Sequence, residues 1–212
     1  MFSGITRYHK IVERTDYLAN VLNRAAQILL SPDPGPVLLS LPFNVQKELV
    51  DDAILERIKT TPAQARPRDQ AQPIERLTDL LLEAESPVIV AGYGCIKAGS
   101  QALVSELSES LNVPVVTSLK GKGVISERSA LSLGSLGVTS YGAAYRYIAE
   151  ESDLVVFLGA GFNERTSYVW DEKLLKDKKI AQVDINEDQL EKVFQADVAI
   201  NGDIKEVLSG VL

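Results

Sequence analysis

The stretch SPVIVAGYGCIKAGSQALVSELSESLNVPVVTS, residues 86–118, decides the fold class because it predicts a strand, a turn, a helix and a second strand. Residues 87–91 and 113–118 are short continuous apolar runs, which are typical of strands buried on both faces of a sheet. Between them, residues 99–111 carry apolar side chains at helical spacing. The positions expected to face inward are Ala102, Leu103, Leu107 and Leu111. The stretch therefore predicts a unit of parallel α/β sheet.

The same alternation continues to the end of the chain. Strands are predicted at 153–159, 179–185 and 197–200, and helices at 73–84, 141–150, 187–193 and from Asp203 onward. Two glycine-bearing loops, at about 120–137 and 160–170, separate these elements. Short apolar strands that alternate with helices predict a three-layer, doubly wound α/β fold around a parallel sheet.

A helix–strand appendage is predicted before this fold. Residues 16–30 form an amphipathic helix, residues 36–42 a buried strand, and the polar stretch 44–72 a surface linker, with a boundary near residue 70. The first ten residues show no strand or helix signal, and we expect an excised segment behind an added Met1. The strand at 36–41 then lacks a partner, so we expect it to dock on the rest of the chain, to pair with a second copy, or to be poorly ordered.

Composition excludes several classes of function. The formal net charge is −7 and no Lys/Arg-rich run occurs, which argues against a nucleic-acid groove. No apolar stretch approaches the roughly 18–20 residues of a membrane span. The single cysteine, Cys95, indicates a reducing, cytoplasmic location. With one cysteine and one histidine, His9, a zinc site is not expected, and no residue is predicted to be catalytic.

The ends of the predicted strands are the places to look for a ligand, because doubly wound sheets bind ligands beyond the carboxyl ends of their strands. Those ends carry Gly92, Gly94, Thr117, Ser118, Gly159, Gly161 and Asp184. The dinucleotide fingerprint is incomplete, since Lys97 stands where its third glycine is required and the second strand ends without an acid. Gly92 and Gly94 fit either a tight turn or a phosphate contact of different geometry.

Other candidates in these loops also have two interpretations. Lys120 and Lys122 lie among glycines, either in a solvated loop or along a nucleotide wall. Asp184 fits either a ribose contact or a cap for the following helix. Arg165 fits a phosphate partner or an ordinary surface arginine. Cys95 follows Gly94 where a thiolate could be stabilised, but a small packed thiol is the simpler interpretation.

Six motifs, in order, resemble one family. They are GPVLLSLPFNVQ (35–46), PVVTSLKGKGVI (114–125), LGSLG (133–137), SDLVVFLGAGFNERTS (152–167), KIAQVDIN (179–186) and INGDIKEVL (200–208). The set is similar to the thiamine-diphosphate-dependent enzymes of the acetolactate-synthase-like branch. The resemblance implies a six-stranded, Rossmann-like central domain of the FAD/NAD-binding type at 73–212. It also implies the tail of a pyrimidine-binding domain at 1–50 and a linker at 51–72.

The resemblance implies a parent enzyme that acts on 2-oxo acids with thiamine diphosphate and Mg²⁺ held outside this chain. The implied partners are the pyrimidine- and pyrophosphate-binding domains, in a homo-oligomer. The family's flavin site maps onto Gly92, Gly94, Thr117, Ser118, Leu119, Leu133, Gly134, Gly137, Gly159, Gly161, Asp184 and Asp203. Ser135 and Leu136 stand where the synthases carry Met and His. FAD, another adenine nucleotide or no ligand therefore remain open for this domain.

Two other classes of protein use a sheet of this type. A free-standing nucleotide-binding protein of the same fold, such as a flavin electron-transfer subunit, is the alternative. A sirtuin-type deacylase would need a histidine beside the nucleotide loops and usually four zinc-binding cysteines, which this chain lacks.

Overall fold

The computed structural model describes residues 2–31, 34–58 and 70–212. The chain divides into two compact units, Met1–Pro67 and Arg68–Leu212. Half of the linker predicted at 51–72, residues 59–69, lies outside the described residues, as do Pro32 and Asp33 between the first predicted helix and strand. No helix among the residues described is both long and apolar enough to span a bilayer.

The first unit is a small α/β element with its own strand pair. Its elements are β1 (Tyr8–Ile11), a 3-10 turn (Thr15–Tyr17), α1 (Leu18–Leu29), β2 (Val37–Ser40), α2 (Phe43–Gln46) and α3 (Ala53–Glu56). Strands β1 and β2 pair in parallel, with Tyr8 opposite Val37 and Ile11 opposite Ser40. Val12, Val21 and Val45 form a buried cluster beside this pair.

This pairing corrects two sequence expectations. The first ten residues do contain a strand, and the strand at 36–41 has a partner within its own unit. The sequence hid β1 because its residues after Tyr8 are all exposed and show no alternation of apolar and polar side chains. An edge strand of this kind is set by its hydrogen-bonded neighbour more than by its own composition.

The second unit contains six strands and their connecting helices. Its elements are α4 (Ala71–Glu83), β3 (Pro87–Ala91), α5 (Tyr93–Lys97), α6 (Gln101–Leu111), β4 (Val115–Thr117), β5 (Ser132–Ser135), α7 (Ala143–Arg146), β6 (Leu154–Leu158), β7 (Lys179–Asp184), β8 (Val198–Asn201) and α8 (Ile204–Val211). A π-helical turn at Tyr147–Glu151 continues α7.

The six strands form one parallel sheet in the order β5-β4-β3-β6-β7-β8. This is the doubly wound order in which the chain leaves β3 toward one edge and returns to β6 on its other side. Consecutive side chains enter opposite layers: Ile89 and Ala91 belong to one buried core, and Val88 and Val90 to the other. The predicted fold class, a three-layer Rossmann-like sheet of six parallel strands, is confirmed.

Several local predictions were wrong. The loop predicted at 120–137 contains the edge strand β5, and the helix predicted at 187–193 is only a 3-10 turn at Glu187–Gln189. That turn ends before Glu191, whose φ of 52° lies in the left-handed region and cannot continue a helix. Ala102, expected to face inward on α6, is exposed, and Val104 is buried instead.

Candidate functional site

Because all six strands are parallel, their carboxyl ends meet at one edge of the sheet, and every candidate loop starts there. At the centre of this edge the ends of β3 and β6 are in direct backbone contact. The amide of Gly92 donates to the carbonyl of Leu158 at 2.9 Å, and that of Gly94 to the carbonyl of Gly159 at 3.0 Å. These amides hold the two central strands together, so they are already satisfied within the protein.

The same corner has no room for side chains. A Cβ on Gly92 would lie 2.0 Å from the Gly159 carbonyl oxygen, and one on Gly94 would lie 2.6 Å from the Gly159 Cα. Gly159 also has a φ of 54°, which favours glycine. This geometry favours the tight-turn interpretation of these glycines, and their assignment to a nucleotide site stays a prediction.

The loop after β4 folds back onto the same corner. Ser118 is buried, and its Oγ accepts a hydrogen bond from the amide of Gly121 at 3.1 Å. A Cβ on Gly121 would lie 2.4 Å from the carbonyl oxygen of Ala91. Thr117 is buried as well. Thr117 and Ser118 therefore shape the base of the loop and present little surface to a ligand.

A cleft of about 450 Å³ opens beside this loop, at the ends of β4 and β5. Its lining is Leu119, Lys122, Glu127, Ser132, Leu133, Gly134, Ser135, Thr139, Ser140, Tyr141, Gly142 and Ala143. Three residues of the predicted flavin set, Leu119, Leu133 and Gly134, lie in it. Its volume is in the range of small-molecule sites, and its walls combine aliphatic side chains with hydroxyl groups.

One ion pair stands in the wall of the cleft. The Lys122 Nζ lies 2.7 Å from the Glu127 Oε1, and both side chains are more than half exposed. Among the residues that line the cleft, these two are the charged ones. The cleft therefore offers a ligand one cation whose charge is already balanced.

Hydrogen bonds join the loop after β5 to the loop after β6. The amide of Val138 donates to the carbonyl of Arg165 at 3.1 Å. The Tyr168 hydroxyl lies 2.7 Å from the Ser140 Oγ and accepts from the amide of Gly137 at 3.3 Å. Gly137 thus lies between the two loops, where a Cβ would meet the Arg165 carbonyl oxygen at 3.3 Å.

A second tyrosine anchors the far end of the loop after β6. The Tyr145 hydroxyl donates to the Asp171 Oδ2 at 2.5 Å, and its ring packs edge-on against Tyr168. This hydrogen bond raises the pKa of Tyr145 and lowers the pKa of Asp171. In the three residues before Asp171, which are Tyr168, Val169 and Trp170, all φ angles are positive, a conformation that costs non-glycine residues energy.

The remaining candidates are apart from the cleft lining. The Asp184 Oδ1 accepts from the amide of Asn186 at 2.9 Å, and the Asp203 Oδ1 accepts from the amide of Lys205 at 2.7 Å to begin α8. The Asp203 carboxylate thus caps α8. The Asp184 carboxylate instead closes a turn at the end of β7, and Asn186 caps the 3-10 turn that follows, so the helix-cap interpretation of Asp184 was wrong. Gly161 is exposed, and a Cβ there would meet nothing within 4 Å.

The candidate nucleophile is enclosed. Cys95 is fully buried, and its Sγ donates to the carbonyl of Leu158 at 3.2 Å. Burial raises the pKa of this thiol from 9.0 to about 11, so it remains protonated at neutral pH. His9 lies in β1 of the first unit. The part of the chain that the structure describes contains no group of three or more metal-ligating side chains.

A comparison with protein families identifies this sheet. The model described as "Thiamine pyrophosphate enzyme, central domain" matches residues 74–211, which include all six strands of the second unit. The chain belongs to this family. The resemblance inferred from the ordered motifs is thereby confirmed.

Curated relatives of this central domain are longer proteins. The chain is 31% identical to an acetolactate synthase of Arthrospira platensis, over 98% of the chain and 36% of the relative. It is 33% identical to the acetolactate synthase isozyme 1 large subunit of Escherichia coli K12, over the same shares. It is 34% identical to the glyoxylate carboligase of Escherichia coli O157:H7, over 93% of the chain and 33% of the relative. The chain thus spans about a third of these relatives.

The structure of the central domain separates the twelve predicted site residues into groups. Leu119, Leu133 and Gly134 line the cleft, whereas Gly92, Gly94 and Gly159 form the closed corner. Sequence reasoning missed a third side of the cleft, Thr139–Ala143, by assigning part of it to a helix. The hydroxyl-rich run VTSYG (138–142) between a glycine and a helix was the signal that could have located it.

Proposed function

We propose that this chain is the structural core of a thiamine-diphosphate-dependent enzyme that decarboxylates or joins 2-oxo acids. The observation that carries the proposal is the family match across the six-stranded unit, supported by relatives that include acetolactate synthases. In this function the chain holds two catalytic domains, which bind pyrimidine and pyrophosphate, in place within a homo-oligomer. The thiamine cofactor supplies the carbanion chemistry when it is bound to those domains.

The proposal places the Mg²⁺ that accompanies thiamine diphosphate outside the described residues. They contain no group of three or more His, Cys, Asp or Glu side chains that could ligate a metal, and the buried thiol of Cys95 is protonated. The proposal therefore assigns neither the metal nor a bond-making step to this chain. Its own contribution is positioning.

We further propose that the cleft beside β4 and β5 binds an adenine nucleotide, either free or as part of FAD. Leu119 and Leu133 offer apolar contacts for a base, and the hydroxyls of Ser135 and Thr139 can donate to ribose or phosphate oxygens. The proposed site does not include Gly92 and Gly94, because their amides already donate hydrogen bonds to the carbonyls of Leu158 and Gly159. The cleft is thus a peripheral site at the ligand-binding edge.

Two experiments test these proposals separately. The reading frame around this sequence should encode both catalytic domains, and the complete protein should convert pyruvate or glyoxylate only with thiamine diphosphate and Mg²⁺. A frame confined to these residues would instead favour the free-standing nucleotide-binding alternative. For the cleft, titration calorimetry of the 212-residue chain with ADP and FAD should give saturable binding that Ser135→Tyr abolishes.

The matched control is Ser209→Tyr, which places the same side chain at an exposed position of α8 away from the cleft. Equal binding by both variants would show that the nucleotide lies elsewhere. Loss of binding in both would point to a general effect of the added aromatic ring.

A further inference from the structure

The ion pair in the cleft wall suggests how its ligand is selected, an inference that rests on the proposed nucleotide site. Lys122 and Glu127 belong to one loop, and their charged atoms are 2.7 Å apart. Exposed ion pairs of this kind contribute about 0–1 kcal/mol, so a doubly charged phosphate can readily displace the carboxylate. A ligand can therefore replace this ion pair at little cost to the stability of the loop.

Displacement does not remove the carboxylate from the site. Glu127 lines the same cleft as Lys122, so a phosphate that pairs with Lys122 remains close to the negative charge of Glu127. Like charges a few ångströms apart repel each other even where water screens them. Since the lining contains no other charged residue, no second cation in the lining compensates for this repulsion.

We infer that Glu127 competes with ligand phosphate for Lys122 and so sets the preference of the cleft between charged nucleotides and their uncharged nucleosides. With Glu127 present, the phosphate of ADP gains a cation only by releasing a carboxylate. A nucleoside such as adenosine leaves the ion pair intact. The wild-type cleft therefore discriminates weakly between the two ligands, and the preference is controlled by a single side chain.

Calorimetric titration of the full chain with ADP and with adenosine tests the inference. Glu127→Gln should tighten ADP binding about fivefold, the equivalent of about 1 kcal/mol, because the competing charge is gone. Lys122→Gln should weaken ADP binding by a similar factor. Adenosine affinity should stay the same in both variants.

Two control variants separate this local effect from the overall charge of the protein. Glu106→Gln removes an exposed carboxylate on α6, and Lys120→Gln removes an exposed lysine beside the cleft that is not in its lining. Neither should change the ratio of ADP to adenosine affinity. The competition would be overturned if Glu106→Gln increased the ratio of ADP to adenosine affinity as much as Glu127→Gln does.

The outcomes distinguish the two proposals. If ADP binds and Glu127→Gln leaves its affinity unchanged, the competition is overturned while the nucleotide site stands. If Glu127→Gln tightens the binding of adenosine as well as that of ADP, Glu127 acts on the shape of the cleft and the inference is likewise overturned. If neither ligand binds wild type or Glu127→Gln, both the site and the competition are overturned.

Discussion

A Cβ on Gly92 would lie 2.0 Å from the carbonyl oxygen of Gly159, so the two central strands approach each other as closely as backbone allows. Gly92→Ala should therefore force the strand ends apart and lower the free energy of unfolding by about 3 kcal/mol. Denaturant unfolding followed by circular dichroism measures this. Gly161→Ala is the control, because a Cβ there meets nothing within 4 Å, and its stability should equal or slightly exceed wild type. Equal stabilities for the two variants would contradict the close packing.

Val169 is exposed and has a φ of 63°, an unfavourable conformation for a β-branched residue. Val169→Gly should relieve this strain and raise the free energy of unfolding by about 0.5–1 kcal/mol, after the entropic cost of glycine. Val138 is also exposed but has an ordinary negative φ, so Val138→Gly should destabilise the protein by a similar amount. Thermal unfolding of the pair checks the prediction, which fails if Val169→Gly is the less stable variant.

Tyr168 joins the loops after β5 and β6 through its hydroxyl group. Tyr168→Phe should lower the free energy of unfolding by about 1 kcal/mol, because Ser140 and Gly137 lose the hydroxyl to which both form hydrogen bonds. Amide hydrogen exchange at 137–140 should also accelerate. Tyr141→Phe is the matched control because Tyr141 is fully exposed, and its stability should stay within about 0.5 kcal/mol of wild type. Unchanged exchange in Tyr168→Phe would show that the hydroxyl does not hold the loops together.

Burial of Cys95 predicts a dependence of stability on alkaline pH. Burial raises the pKa of the thiol from 9.0 to about 11, so the folded state retains a proton that the unfolded state loses. The protonated thiol therefore makes its full contribution to the free energy of unfolding below pH 9. As the pH rises to about 11, the free energy of unfolding falls by about 2–3 kcal/mol. Denaturant unfolding at pH 8 and pH 10.5 measures the loss, and Cys95→Ala should lack it. Parallel pH profiles for both proteins would contradict the assignment.

The interior strands could be predicted from sequence because their composition agrees with their place in the fold. Strands β3 and β6 are runs of five apolar residues, and burial on both faces of a parallel sheet requires such runs. Strand β5 could not be predicted in the same way. Its sequence, SLGS, has no β-branched residue and is only half-buried, so its pairing with β4 determines its structure.

The candidate site was predictable in position but not in detail. The rule that ligands bind at the carboxyl ends of parallel strands located the edge. The contact between Gly92 and Gly159 joins segments far apart in the chain, and a single sequence does not reveal which backbone a glycine touches. The cleft was found only in part, because Thr139 and Tyr141 enter its wall through a turn before α7, and Tyr141 had been predicted to start a helix.

The switch from β4 and β5 back to β6 has a consequence for synthesis on the ribosome. Strand β3 emerges early, yet its partner β6 is made only after two further strands and three helices. Until then one side of β3 has no neighbour, and non-local pairing of this kind slows folding and exposes nascent chains to association. We therefore expect the second unit to acquire protease resistance only once β6 has left the exit tunnel, in a single late step.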